Sequence, residues 1–142
     1  MKKNHIIFLA IILVCIATAT FIAGCTTARP DPENAVATWV TAVNAHDYNR
    51  LYDLAPQAIR QQVSRPAFIA AQHDNHLMAE GNIIKSYTVL NKTISGNDAA
   101  ITAQLILHVP ASGNVSEGDI PLYIKFVEIF ENGKWDVWTT AP

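Results

Sequence analysis

From Ala99 to Val109 apolar side chains fall at every second position, Ala99, Ile101, Ala103, Leu105, Leu107 and Val109, with mostly polar residues between them. That period belongs to a β-strand with one face buried and one solvated. The rest of the chain after Gly81 follows the same chemistry. Ile83 to Ile94 is rich in β-branched and aromatic residues, and Ser95-Gly96-Asn97-Asp98 reads as a turn. Pro110 to Asp119 reads as a loop and Ile120 to Glu131 as a long strand. Asn132-Gly133 then demands a type I′ hairpin, because both positions accept φ > 0, and Trp135 to Thr139 closes it.

Before Gly81 the period is helical. Asp31-Pro32-Glu33 has the signature of a helix start, with an acidic cap, proline at the first helical position and a carboxylate in the first turn. Val36, Trp39, Val40 and Val43 follow as a single apolar stripe. Asn44-Ala45-His46-Asp47 breaks it, and Asp47 can cap a second, short helix carrying Tyr48, Leu51, Tyr52 and Leu54. Ile59 and Val63 suggest one or two further turns after Pro56. Ser64-Arg65-Pro66 opens a third helix, expected to run to about Glu80 and to stop at Gly81. Three helices followed by four antiparallel strands is an α+β arrangement, with the helices covering one face of a curved sheet.

The amino terminus carries a different message. Lys2 and Lys3 precede an uncharged stretch from Ile6 to Gly24, a basic region before an apolar one, as in a secretory signal. The stretch ends Ile22-Ala23-Gly24-Cys25, which resembles the lipobox of bacterial and archaeal lipoproteins: an aliphatic residue, two small residues, then cysteine. The resemblance implies cleavage before Cys25 and a thioether-linked lipid on its sulfur. The nineteen residues from Ile6 to Gly24 also lie within the ~17–25 that span a bilayer as a helix, so a single N-terminal transmembrane helix is the alternative. Either way the positive-inside rule leaves the remainder on the extracytoplasmic face. The resulting division is a signal peptide over 1–24, a lipidated tether over 25–30 and one domain over 31–142.

Composition narrows the function. The chain has two cysteines, Cys15 inside the apolar stretch and Cys25 at its end, so the domain has neither a disulfide framework nor a cysteine metal site. Loss of Lys2 and Lys3 with the signal takes the formal net charge from −2 to −4, which argues against nucleic acid and against a second, electrostatic contact with anionic lipids. There is no Gly-rich phosphate loop, Gly-x-Ser-x-Gly elbow, His-Glu-x-x-His or catalytic cysteine, and nothing calls for a cofactor. The sequons at Asn91 and Asn114 are too common by chance to count as sites.

The domain resembles the nuclear transport factor 2-like superfamily, also called ketosteroid-isomerase-like, whose members are cones: a long first helix, two shorter ones and a bent antiparallel sheet around a pocket. The resemblance rests on the element order, on Asn44-Ala45-His46-Asp47-Tyr48 after the first helix, and on Asn132-Gly133-Lys134-Trp135-Asp136-Val137-Trp138 near the carboxyl end. Neither segment is catalytic, so the resemblance implies a fold and leaves activity open. Its small secreted lipoproteins look mostly non-enzymatic. The reading that follows is a lipid-anchored, non-catalytic domain that binds a small apolar ligand, a peptide or a partner protein; a homodimer is compatible with it.

The alternative is an isomerase- or dehydratase-type enzyme, for which the sequence offers one acid/base, Glu128. A two-residue hairpin at Asn132-Gly133 sets Phe130 opposite Trp135, Glu128 opposite Val137 and Phe126 opposite Thr139, so Phe126, Glu128, Phe130, Trp135 and Val137 share a face. A carboxyl in such an apolar stripe has a raised pKa. A β-bulge would turn Glu128 to solvent instead, and a backbone amide, Tyr48 or Tyr52 could bond it in a purely structural role. His73 and His76 stand three apart on the expected third helix. They could share a metal, though no third ligand is apparent; a solvated helix face or a place in the pocket are the other readings. Trp39, Tyr48, Tyr52, His73, His76, Phe126, Phe130 and Trp135 are the candidate pocket residues.

Overall fold

The computed structural model describes residues 28–73, 75–113 and 116–140, with the backbone alone for His76. The apolar stretch Ile6–Gly24 and Cys25 lie outside them. No helix among the described residues is long and apolar enough to cross a membrane.

Among the described residues four α-helices precede four strands: α1 Glu33–Asn44, α2 Tyr48–Leu54, α3 Gln57–Gln62 and α4 Arg65–His73, then a 3₁₀ turn at His76–Met78, then β1 Ile83–Ser95, β2 Asp98–Val109, β3 Gly118–Glu131 and β4 Lys134–Thr140. The sheet is open and antiparallel, with order β1-β2-β3-β4. The α+β expectation holds, with one helix more than expected. Pro56 stops α2, and the turns around Ile59 form the separate helix α3 because Pro56, extended at ψ 147°, redirects the chain.

The third expected helix also ends early. α4 stops at His73 rather than near Glu80. Asn75 Oδ1 accepts from Leu77 N at 3.0 Å, and Asn75 Nδ2 donates to Gln72 Oε1 at 3.1 Å. An Asx turn of this kind competes with the helical ladder and starts the tighter 3₁₀ turn. His73 and His76 therefore sit on two elements, and the shared helix face expected of them does not exist.

The local signals at the other starts are met. Asp31 Oδ1 accepts from Glu33 N at 3.0 Å, and Asp47 Oδ1 accepts from Arg50 N at 2.9 Å, each satisfying a donor that its helix leaves open. Asn132 and Gly133 have φ of 53° and 80°, and the strands pair in the register the hairpin dictates: Phe130 with Trp135, Glu128 with Val137, Phe126 with Thr139.

The core lies between α1 and the inner face of the sheet. Val36, Trp39 and Val43 of α1 meet Ile101, Ala103, Leu105 and Phe126, and Trp39 stands edge-on to Phe126 with ring centroids 5.2 Å apart. α1 starts beside the two hairpin turns, where Lys92 of β1 bonds both Asp31 and Glu33. It ends beside the beginning of β1, where Asn44 Nδ2 donates to Ile84 O at 3.0 Å and Asn44 Oδ1 accepts from Ile84 N at 2.8 Å. The short helices wrap the edge of β4. Lys134 Nζ donates to Asp53 O, and the Phe68 and Trp138 rings lie 6.2 Å apart. The opposite edge, β1, is open among the described residues. Its register is interrupted between Ile84 and Ser86 and again between Val89 and Asn91, and Ile83, Leu90 and Ile94 are exposed on it.

Candidate functional site

Two features could do chemistry or binding, and they lie apart. The first is the carboxyl of Glu128. The hairpin register and the pleat aim it at the inner face, between Ala99 of β2 and Val137 of β4. Its side chain is wholly buried, and among the described residues neither oxygen has a hydrogen-bond partner. Burial raises its pKa from 4.5 to about 8, and the nearby carboxylates of Asp31 and Glu33 push the same way. At neutral pH it is a neutral acid, the form an apolar core tolerates. The bulge that would have turned it outward does not occur in β3–β4. Neither tyrosine bonds it: the Tyr52 hydroxyl lies 3.0 Å from the carbonyls of Arg60 and Val63, and Tyr48 packs against His73 with centroids 5.0 Å apart.

A second buried carboxylate, Asp136, differs in being answered. It sits on the opposite side of β4, where Arg60 Nη2 of α3 approaches to 3.5 Å and Lys134 Nζ pairs with it directly. Burial still raises its pKa, with Lys134 pulling the other way. Its neighbour Glu131 is held below the usual range, chiefly by the Gln57 amide at 2.6 Å. These groups fasten the hairpin to α3.

The second feature is a groove of about 770 Å³ at the far end of the sheet from the hairpin turns. Leu107 and Val109 of β2, Ile120 and Leu122 of β3, Pro110 and Leu77 form its apolar walls. Asn75, the buried Asn82, Ser112 and Glu80 supply its polar groups, and among the described side chains Glu80 is the one ionisable residue of the lining. The opening has a simple cause. α1 ends at Asn44 against Ile84, and the 3₁₀ turn His76–Met78 is too short to cover the beginning of β3. The inward-facing alternation of β2 and β3 runs on past the helices that cover it elsewhere.

The expected pocket residues are distributed otherwise. Trp39, Phe126 and Trp135 are core side chains, exposed by 7%, 0% and 4%. Phe130 is half-buried under the Arg29 guanidinium, 4.3 Å from its ring centroid. Tyr52 is held between Phe68, at 5.5 Å between ring centroids, and Arg65, 4.5 Å above its ring. Half-buried Tyr48 pairs with the exposed ring of His73, and His76 opens the 3₁₀ turn. Trp39, Tyr48, Tyr52, His73, Phe126, Phe130 and Trp135 do not line the large groove, and Glu128 does not either. Among the described residues no three histidine, cysteine or acidic side chains gather where they could hold a metal. The groove's own residues were legible only as strand alternation, which marks a buried face without saying what covers it.

No protein-family model matches the chain, and no curated protein matches it. Among solved structures it is similar to the solution structure of a SEC-C motif containing protein from Rhodopseudomonas palustris, with 12% identity, a TM-score of 0.47 and coverage of 72% of this chain and 71% of that one.

Proposed function

We propose that this chain is a lipid-anchored, extracytoplasmic binding module of the nuclear transport factor 2-like kind, which takes a small apolar molecule into the groove between β2, β3 and the 3₁₀ turn. The groove itself carries the reading. Its volume falls in the range of small-molecule sites, and its walls are aliphatic with a few polar groups at the rim, the composition such sites share. Among the described side chains the sole ionisable residue of the lining, Glu80, is acidic, which favours a neutral or cationic ligand over a fatty-acid carboxylate. The lipobox at Ile22–Cys25 supports attachment through Cys25.

The enzymatic alternative depends on Glu128, and its burial weighs against it. A general acid or base must come within hydrogen-bond reach of the proton it moves, and this side chain, between Ala99 and Val137 on the inner face, is wholly buried.

The test uses the domain from residue 26 onward, free of lipid, titrated with the neutral fluorophore N-phenyl-1-naphthylamine. The wild type enhances its emission saturably. Leu122→Trp, which fills the groove from a half-buried position, weakens binding at least tenfold and leaves the melting temperature near wild type. Failure to bind, or binding indifferent to Leu122→Trp, would refute the reading.

A further inference from the structure

The first described residues of the chain do not hang free. The Arg29 guanidinium lies over the Phe130 ring at 4.3 Å and 5.4 Å from the centroid of Trp135. It donates to Asn97 Oδ1 at 2.9 Å and to the carbonyl of Gly96. One residue on, the Pro30 carbonyl accepts from Trp135 Nε1 at 2.7 Å. A cation over two rings, with two hydrogen bonds beside it and a third from the next residue, is a clamp. It joins the β1–β2 turn to the β3–β4 hairpin, which the antiparallel order sets at one end of the sheet and where Phe130 N donates to Asn97 O at 2.7 Å. Arg29 and Pro30, read from the sequence as tether, are docked onto the domain.

We infer that this clamp fixes how the domain stands on the membrane: the hairpin end, with Gly96-Asn97 and Asn132-Gly133, faces the lipid surface, and the groove opens away from it. The inference rests on the lipid anchor at Cys25 proposed above. Four residue steps separate Cys25 from Arg29, at most ~14 Å of extended chain, so the clamped end cannot leave the headgroup region. The groove lies at the other end of the same strands. From Asp98 beside the turn to Val109 in the groove wall, β2 rises about 36 Å at ~3.3 Å per residue. The acidic balance of the mature chain offers anionic lipid no second point of attachment that would lay the domain flat. An unclamped tether would let the domain turn over on its anchor. The clamped one presents the groove to the aqueous phase, so the ligand is collected from solution and not drawn out of the bilayer.

Two exposed serines at opposite ends make the orientation measurable. Ser95→Cys lies beside the β1–β2 turn and Ser112→Cys on the groove rim. In the lipidated protein the Cys25 sulfur is occupied, so a thiol fluorophore labels only the introduced site. The labelled proteins are bound to phosphatidylcholine vesicles containing lipids with nitroxide headgroups, and flotation with the vesicles measures anchoring separately. The expected result is flotation of both variants, with the Ser95→Cys label quenched at least twofold more than the Ser112→Cys label. Adding Arg29→Ala to each should bring the two values together without affecting flotation. Protein that does not float overturns the anchor and the orientation with it. Protein that floats with equal or reversed quenching, or whose difference survives Arg29→Ala, overturns the orientation and leaves the anchor standing.

Discussion

Glu128 makes the stability of this fold depend on pH in an unusual direction. In the folded chain the carboxyl holds its proton up to about pH 8, and in the unfolded chain it releases it near 4.5. Below pH 4.5 both states are protonated and the residue contributes no pH dependence. Between 4.5 and 8 the folded state keeps a proton that the unfolded state has lost, so stability falls as pH rises, by up to about 1.4 kcal/mol per unit. Above 8 the fall ceases. Over the whole window the loss is about 5 kcal/mol, and by pH 7 it has reached roughly 3 kcal/mol, a large share of the ~5–15 kcal/mol that keeps a domain folded. Glu128→Gln keeps the shape and removes the titration. Its amide finds no more partners than the acid had, so the variant need not be more stable at pH 5, but that offset does not change with pH. Urea unfolding of both proteins from pH 5 to 8.5 isolates the effect, because the lowered carboxyls of Asp31 and Asp53 contribute to both alike. The difference between variant and wild type should move in the variant's favour by several kcal/mol across the series. A difference constant to within ~0.5 kcal/mol would mean that the carboxyl is solvated, and the burial argument would fall.

Three further outcomes are expected. Gly133→Val should destabilise the domain by more than ~1 kcal/mol in thermal or urea unfolding, because a β-branched residue would be held at φ 80°; no neighbour lies within 4 Å of the new Cβ, so the loss measures backbone strain alone. Asp47→Ala removes the acceptor of Arg50 N and should cost about 1 kcal/mol by urea unfolding, with Asp47→Asn recovering most of it. Cys25→Ser should abolish incorporation of a labelled lipid while leaving the circular dichroism of the domain unchanged, and unchanged labelling would refute the lipobox reading.

The elements written in local chemistry were legible in the sequence. Asp31 and Asp47 cap helices because their side chains reach an amide two or three residues on, and Asn132-Gly133 fixes a register that places Glu128 correctly four positions from the turn. What the sequence did not yield depends on competition or on coverage. Asn75 ends α4 by bonding Leu77 N, a choice invisible in a stretch whose spacing also suits a helix. Leu107 and Val109 alternate just as Ile101 and Ala103 do, yet the first pair lines a groove and the second is sealed by α1. The length of α1 decides between them, through the end at Asn44. Trp39, Phe126 and Trp135 were candidates for the same pocket because aromatic side chains suit both ligands and cores, and here they belong to the core.

The open edge of β1 bears on how such a protein avoids pairing with copies of itself. A long strand with one edge unpaired and Ile83, Leu90 and Ile94 exposed is a template for extended chains from other molecules. The two register breaks at Ile84–Ser86 and Val89–Asn91 divide it into short segments, none able to pair continuously with a partner. Lys92, turned inward to Asp31 and Glu33, places a charge where a second sheet would need an apolar residue. The irregularities of β1 thus act as a barrier to fibre growth: straightening the strand, by removing either break or by replacing Lys92 with an aliphatic residue, would complete a flat edge along which copies could stack.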